Sequence, residues 1–281
     1  MNTVLISGDS WGQGEIDYQT PGIDDGWSPI GDSILHRGIN QYLEESNFNV
    51  INLSYPGGSN CMSTERLRNF LNINSIYSKD ISCILFFYTE WFREMWFFPN
   101  ENINKDVKKG YRHIKRRWSE RALERLVALN KCYNIPVYLI GGCSDIPFST
   151  HSVLKVACQS AVNYITTGNS RIDSPVLCQF NPGFTDSFLD LIKPKCNTDD
   201  LQELTTDMEL GQKRREYMFE PDNAYNYFKP DGIHANRTGH KILFDLVYNT
   251  HIQQQKEQND EKRSATQRTN NQSNGGTPAT N

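Results

Sequence analysis

The pattern of apolar residues predicts short buried strands that alternate with amphipathic helices. Continuous apolar runs, typical of strands that are buried on both faces, occur at Thr3–Ser7, Asn49–Ser54, Ile81–Tyr88 and Pro136–Gly141. Apolar residues recur every three or four positions in Pro29–Leu43, Asn60–Leu71, Trp118–Asn130 and Asn236–Tyr248. Strands that alternate with helices predict an α/β fold with a parallel sheet covered on both faces.

Two segments lack this alternation. Residues 144–220 have no clear period, and we expect one more strand near Val176–Phe180 and a polar helix near Asp199–Phe219. Residues 252–281 contain one isoleucine and two alanines among polar residues, too few to form a core, and they are predicted to be a disordered tail. One folded domain, residues 1–251, is therefore expected before the tail.

Composition and charge restrict the classes of partner. The formal net charge of −4 gives no global attraction to nucleic acid or to an anionic membrane surface, so we expect neither partner. No apolar run approaches the ~20 residues that span a bilayer. The N-terminus lacks the pattern of a secretory signal, so we expect a cytoplasmic location. A small-molecule or glycan substrate is the remaining expectation.

Cysteines and histidines give no sign of a metal site. The seven cysteines are spread along the chain without a C-x-x-C pair, and they are predicted to be reduced and mostly buried. No set of histidines, cysteines and carboxylates has the spacing of metal ligands. We therefore expect neither a metal nor an organic cofactor.

A serine directly after the first strand is the candidate nucleophile. Gly8-Asp9-Ser10 follows Thr3–Ser7, which places Ser10 at the carboxyl end of that strand, where parallel α/β sheets bind ligands. The same three residue types recur at Gly31-Asp32-Ser33, but the helical spacing of the apolar residues that follow predicts a helix start there. Residues 8–12 also fit the G-x-S-x-G turn of α/β-hydrolases, in which several strands precede the serine instead of one.

His234 is the candidate base. Of the six histidines it alone has an aspartate three residues before it, Asp231, and it lies just ahead of a helix that Asn236 is positioned to cap. A serine at neutral pH needs an imidazole to accept its proton, and that imidazole needs an acceptor to fix its tautomer. Ser10, Asp231 and His234 supply these groups.

These segments resemble the sequence blocks of the GDSL/SGNH hydrolases. VLISGDSWG looks like the first block, DGIHANRTGHKIL looks like the last, and Asn52–Asn60 is similar to the second. The resemblance implies a three-layer α/β/α flavodoxin-like fold and a Ser-His-Asp esterase, with an O-acyl sugar as one substrate class. It also implies an oxyanion hole formed by the backbone N–H groups of Ser10 and Gly57, with Gly58 one step from the glycine position.

The third block departs from the family pattern. Where the family has an asparagine that donates to the oxyanion, this chain has Glu90, and an ionised carboxylate only accepts hydrogen bonds. Three alternatives remain: the Thr89 hydroxyl donates, Asn60 substitutes, or Arg93 neutralises Glu90 and itself faces the substrate. A second hypothesis keeps the fold and makes the protein a non-catalytic module that binds a glycan or another small ligand.

An aromatic and basic insertion is expected around residues 91–117. Eight of the thirteen residues in Phe86–Phe98 are aromatic, which predicts either a packed loop or a platform over the substrate that includes Trp91, Phe92 and Trp96. Seven lysines and arginines follow in residues 105–117. They predict a solvated helix face or, alternatively, a contact with an anion or a nucleic acid.

Overall fold

A computed structural model describes residues 2–16, 34–94, 107–142, 145–146, 152–169, 189–190, 192–219, 226–229 and 234–253. Their central feature is a five-stranded sheet in which every neighbouring pair of strands is parallel. In spatial order its strands are β4 (Asn49–Asn52), β1 (Thr3–Ser7), β5 (Ile81–Tyr88), β6 (Val137–Gly141) and β7 (Leu154–Cys158). A separate antiparallel pair consists of β2 (Glu15–Ile16) and β3 (Ile34–His36).

The α-helices of the described residues connect and cover these strands. They are α1 (Ser10–Gln13), α2 (Ile39–Glu45), α3 (Asn60–Ile73), α4 (Tyr111–Tyr133), α5 (Ala161–Thr167), α6 (Thr198–Phe219) and α7 (Arg237–Val247). Short 3-10 turns occupy Ser75–Asp80, Trp91–Arg93 and Lys193–Lys195, and a π-helical turn, Tyr248–Ile252, follows α7. Within the described ranges, no helix is both long and apolar enough to cross a membrane.

Alternate residues of the central strands pack in two different apolar cores, one on each face of the sheet. Val4 and Ile6 of β1 pack in a core with side chains of α2, α5 and α7, whereas Leu5 packs on the opposite face with side chains of α3 and α4. Strands β5 and β6 divide in the same way, because successive side chains of a strand point to opposite faces. The sheet is therefore covered by helices on both sides, which confirms the predicted three-layer α/β/α fold.

Most predicted elements have close counterparts. The predicted bounds of β1 and β5 are those observed, and α3 and α6 begin within one residue of the predicted positions. Strand β7 was not predicted, because Lys155 interrupts its apolar run; it is an edge strand on which Lys155 and Val156 are exposed. The strand expected near Val176–Phe180 lies outside the described residues, as does the predicted tail beyond Gln253.

The predicted helix Pro29–Leu43 is wrong for its central part. Ile34–His36 form β3, and α2 begins only at Ile39, after Gly38 with a φ of +55°. Leu35, which fitted the helical period, is 50% exposed. A few apolar residues at helical spacing do not distinguish a helix from a short strand. Gly31-Asp32-Ser33 lies outside the described residues.

The basic insertion packs against an acidic helix. Arg112 Nε lies 2.9 Å from Glu203 Oε2, and Lys115 Nζ lies 2.7 Å from Asp207 Oδ2, so the first turns of α4 pair with carboxylates of α6. The Tyr111 hydroxyl donates to the same Asp207 carboxylate at 2.6 Å. Arg112, whose side chain is 56% exposed, fits the predicted solvated face, whereas Lys115, at 15%, does not. The partners of both are carboxylates of the same chain, on a helix about 90 residues later in the sequence, and not an external anion.

Candidate active site

Ser10 lies on a tight turn at the carboxyl end of β1. Gly8 has a φ of +144°, and a Cβ at that position would lie 2.5 Å from the Phe87 carbonyl oxygen of the neighbouring strand, so only glycine fits. Asp9 then caps α1, because its Oδ1 accepts a hydrogen bond from the Trp11 N–H at 3.0 Å. The close packing of this turn fixes the position of Ser10 at the first residue of α1.

His234 is held by backbone hydrogen bonds on both sides. The His234 carbonyl oxygen accepts from the Lys229 N–H at 2.8 Å, and the Asn236 N–H donates to the Tyr227 carbonyl oxygen at 2.9 Å. Asn236 caps α7 as predicted, since its Oδ1 accepts from the Gly239 N–H at 3.1 Å. The loop before α7 therefore presents His234 in a defined orientation.

The structure brings the side chains of Ser10 and His234 into contact. Ser10 Oγ and His234 Nε2 are 2.6 Å apart, although the two residues are 224 positions apart in the sequence. Both residues are buried, with exposures of 3% and 7%. A neutral imidazole that accepts the serine proton at Nε2 suits this distance. Asp231, the predicted third member, lies outside the described residues.

Glu15 joins the two segments that carry this pair. Its Oε2 lies 3.0 Å from Arg237 Nε, and its Oε1 lies 3.7 Å from Lys229 Nζ. Glu15 follows Ser10 by five residues, whereas Lys229 and Arg237 lie on either side of His234. This buried carboxylate therefore connects the segment that carries His234 to the segment that carries Ser10.

The predicted oxyanion glycine lies in the turn between β4 and α3. Gly57 is buried and has a φ of +67°, and the turn is attached to the nucleophile segment because the Tyr55 N–H donates to the Gly8 carbonyl oxygen at 3.0 Å. The Gly58 N–H is already engaged within this turn, because it donates to the Tyr55 carbonyl oxygen at 3.0 Å. This use of the Gly58 N–H leaves Gly57 as the better candidate.

Asn60 and Thr89 are engaged with each other. Asn60 Nδ2 donates to the Thr89 carbonyl oxygen at 2.7 Å, and its Oδ1 accepts from the Thr89 N–H at 2.8 Å. The amide group thus holds the chain just after β5. The Thr89 hydroxyl is directed at two carboxylates, those of Asp9 at 2.8 Å and Glu90 at 2.6 Å. Neither of the first two substitutes for the missing oxyanion donor is therefore favoured by the geometry.

Glu90 forms a buried ion pair with Arg93. Arg93 Nε lies 2.6 Å from Glu90 Oε2, and Arg93 Nη1 lies 3.5 Å from Asp9 Oδ2. The exposures are 1% for Glu90, 6% for Arg93 and 0% for Asp9. Burial is the main cause that raises the pKa of Asp9, and the Arg93 guanidinium opposes it. In the structure, therefore, Arg93 pairs with Glu90, as the third alternative for this position requires.

The residues on either side of Arg93 are structural in their contacts. The Glu94 carboxylate accepts hydrogen bonds from the Ser59 hydroxyl at 2.9 Å and the Cys61 N–H at 2.7 Å, so it holds the start of α3, and burial raises its pKa. Trp91 is 7% exposed and packs with Phe92 and Tyr111, at ring-centroid distances of 6.3 and 5.8 Å. For Trp91 and Phe92 these contacts fit the predicted packed loop better than a platform over the substrate. Trp96 lies outside the described residues.

The described residues contain no group of three or more histidines, cysteines and carboxylates placed to hold a metal ion. The chemistry that they can perform is that of the Ser10 hydroxyl and its imidazole partner. Sequence reasoning identified both groups but missed Asp9 and Glu15. The signal for Asp9 was its position as cap residue next to Ser10, and that for Glu15 was weaker, a lone acidic residue shortly after the turn.

No protein-family model and no curated protein matches the chain. Solved structures that align with it include the psychrotrophic esterase EstA from Pseudoalteromonas sp., at 12% identity and a TM-score of 0.37 over 89% of this chain and 96% of that one. A family 3 carbohydrate esterase from Clostridium thermocellum aligns at 8% identity and a TM-score of 0.39, over 91% and 98%. The acetyl xylan esterase AlAXEase aligns at 12% identity and a TM-score of 0.37, over 89% and 99%.

These alignments extend over most of each chain, and the proteins in them are esterases, the class that the sequence blocks resemble. Identities of 8–12% and TM-scores below 0.5 give no support to a particular activity. The class that this molecule itself defines is an α/β protein with a five-stranded parallel sheet and a Ser-His pair at the carboxyl end of β1.

Replacement of Glu90 by asparagine is expected to lower activity, although it introduces the amide that the family uses. The change removes the carboxylate 2.6 Å from Arg93 and leaves a buried cation without that partner. We expect a fall in kcat/KM of about 10-fold or more, because loss of a buried charge pair shifts nearby groups. Steady-state kinetics with an aryl ester measures this. An increase in kcat would contradict it and would identify Glu90 as a degraded oxyanion donor.

Proposed function

We propose that this protein is a serine esterase in which Ser10 is the nucleophile, His234 is the general base and Asp231 orients His234. The observation that carries the proposal is the 2.6 Å distance between Ser10 Oγ and His234 Nε2. A serine hydroxyl gains nucleophilicity only when a base stands within hydrogen-bond reach. The pair also lies at the carboxyl end of a parallel strand, where open α/β sheets bind their ligands.

In the proposed reaction, Ser10 Oγ attacks the ester carbonyl carbon while its proton passes to His234 Nε2. The negative charge that develops on the carbonyl oxygen is held by the backbone N–H groups of Ser10 and Gly57, and one such donor is typically worth on the order of 10²–10³ in turnover. The imidazolium then protonates the departing alcohol. His234 next activates a water molecule, which releases the acid from the acylated Ser10.

The proposed substrate is a small-molecule or glycan ester, and an O-acyl sugar is the class that the family resemblance implies. One observation favours a second function. Glu90 stands where the family has its donating asparagine, and its pairing with Arg93 uses the position for a different purpose. The alternative is therefore a binding module of the same fold that holds an ester or a glycan without turnover.

Labelling with an alkyl fluorophosphonate tests the proposal. An activated serine attacks the phosphorus of such a probe and displaces fluoride, so the wild-type protein should gain the mass of one probe less HF, located by peptide mass spectrometry on Ser10. The variant Ser33→Ala, which changes the second Gly-Asp-Ser copy, should be labelled like the wild type, and His234→Ala should be labelled far more slowly. If the folded wild-type protein remains unlabelled, the esterase proposal fails and the binding module is favoured.

A further inference from the structure

Four buried polar side chains form one connected cluster directly behind the nucleophile. They are Asp9, Thr89, Glu90 and Arg93, and none is more than 6% exposed. The register of the sheet brings them together, because β1 and β5 pair with Ser7 opposite Phe86, so that the residues following the two strands meet. Asp9 precedes Ser10 in the chain, which makes the charge of this cluster part of the environment of the proposed oxyanion.

The number of hydrogens in the cluster restricts its charge state. The Thr89 hydroxyl has a single proton to donate. Its oxygen nevertheless lies 2.8 Å from Asp9 Oδ2 and 2.6 Å from Glu90 Oε2, both within hydrogen-bond distance. If both carboxylates were ionised, one of these short contacts would join two oxygens with no hydrogen between them. One of the two carboxyl groups must therefore carry a proton that it donates to Thr89.

The distances from Arg93 to the two carboxyl groups indicate that Asp9, and not Glu90, carries that proton. Glu90 Oε2 lies 2.6 Å from Arg93 Nε, whereas Asp9 Oδ2 lies 3.5 Å from Arg93 Nη1, so the ionised form is better stabilised at Glu90. The other oxygen of Asp9 is occupied as an acceptor of the Trp11 N–H, which leaves Oδ2 to hold the proton. Burial also raises the pKa of Asp9, in the same sense.

We propose that Asp9 is a neutral carboxylic acid in the working protein and a positioning residue for Ser10. In the proposed chain of hydrogen bonds Asp9 donates to Thr89, Thr89 donates to ionised Glu90, and Glu90 pairs with Arg93. The cluster then has no net charge. This inference rests on the proposed esterase function for its effect on turnover, but the protonation state itself is independent of that function.

The other charged groups near the cluster do not change this balance. Glu94 lies in the turn that contains Arg93, but its carboxylate is bonded to Ser59 and the Cys61 N–H at the start of α3. His234 contacts the Ser10 hydroxyl and is not among the main groups that shift the pKa of Asp9. Arg93 and Glu90 are thus the charges that act most strongly on Asp9, together with its hydrogen bonds to Thr89 and Trp11.

The chain of hydrogen bonds predicts a specific dependence on pH. A carboxyl group whose pKa is raised on folding keeps its proton in the native state after the unfolded chain has lost it. The free energy of unfolding should therefore fall as pH rises from the ordinary Asp value of 3.8 toward the raised pKa. Above the raised pKa, ionised Asp9 adds a negative charge beside the proposed oxyanion, so kcat should fall there as well.

Asp9→Asn is the informative variant, because asparagine imitates the protonated acid with one acceptor oxygen and one donor. We expect Asp9→Asn to lose less than about 3-fold in kcat/KM and Asp9→Ala, which removes both groups, to lose about 10-fold or more. The alkaline decline of kcat that Asp9 causes in the wild type should be absent in Asp9→Asn.

Infrared spectroscopy at pH 7 tests the protonation state without any activity. The wild type should have a carbonyl stretching band of a buried protonated carboxyl group, retained in Ser10→Ala and absent in Asp9→Asn. A wild-type spectrum without this band would overturn the proposal, as would a band that disappears in Glu90→Gln but persists in Asp9→Asn. Since Ser10→Ala has no nucleophile, a failure of the esterase proposal leaves this measurement unaffected.

Discussion

Replacing Ser10 by alanine is expected to reduce ester hydrolysis by about 10⁴-fold or more. The reason is that the proposed acyl intermediate forms on Ser10 Oγ, the hydroxyl oxygen that lies 2.6 Å from His234 Nε2. The same substitution should change the melting temperature by only a few degrees, because it removes one hydrogen bond worth about 1 kcal/mol. Kinetics and thermal unfolding of the same preparation measure both effects.

The double variant Ser10→Ala/His234→Ala distinguishes a working pair from two independent contributions. Residues that act as a unit are not additive, so the double variant should be no less active than Ser10→Ala alone. Ser33→Ala serves as the matched control and should retain full activity. If Ser33→Ala abolished hydrolysis while Ser10→Ala did not, the assignment of the nucleophile would be wrong.

Replacing Arg93 by methionine is expected to lower the free energy of unfolding by about 3–5 kcal/mol at pH 7, the usual cost of removing one partner from a buried ion pair. Methionine keeps much of the apolar stem but leaves the Glu90 carboxylate, only 1% exposed, without the guanidinium 2.6 Å away. Urea denaturation at pH 7 measures this loss.

Arg37→Met provides the control for the same chemical change. Arg37 pairs with Glu44 at the surface, and its side chain is 55% exposed, so its removal should cost less than about 1 kcal/mol. If Arg93→Met cost no more than Arg37→Met, the cluster behind Ser10 would not depend on a buried charge pair. The inferred charge balance of Asp9, Glu90 and Arg93 would then be wrong.

The sequence by itself determined the central strands, the layered architecture and the two residues that meet in the candidate site. Short apolar runs such as Thr3–Ser7 and Ile81–Tyr88 are typical of strands buried on both faces, and here their bounds are those of β1 and β5. Ser10 and His234 were identifiable for a similar reason, because each belongs to a short motif next to a recognisable element. The Asn236 cap was likewise readable from one residue and the helix that follows it.

Only the tertiary structure decided what the polar residues around that pair do. From the sequence, Glu90 was interpreted as a lost oxyanion donor, and Arg112 and Lys115 as part of a solvated or anion-binding face. The partners of Glu90, however, depend on the register of β1 against β5. Those of Arg112 and Lys115 depend on the packing of α4 against α6. Thr89 meets Asp9 across 80 residues of sequence, and no local period encodes such a contact. Hydrophobic patterning fixes which face of an element is buried, whereas the pairing of buried charges depends on which elements become neighbours.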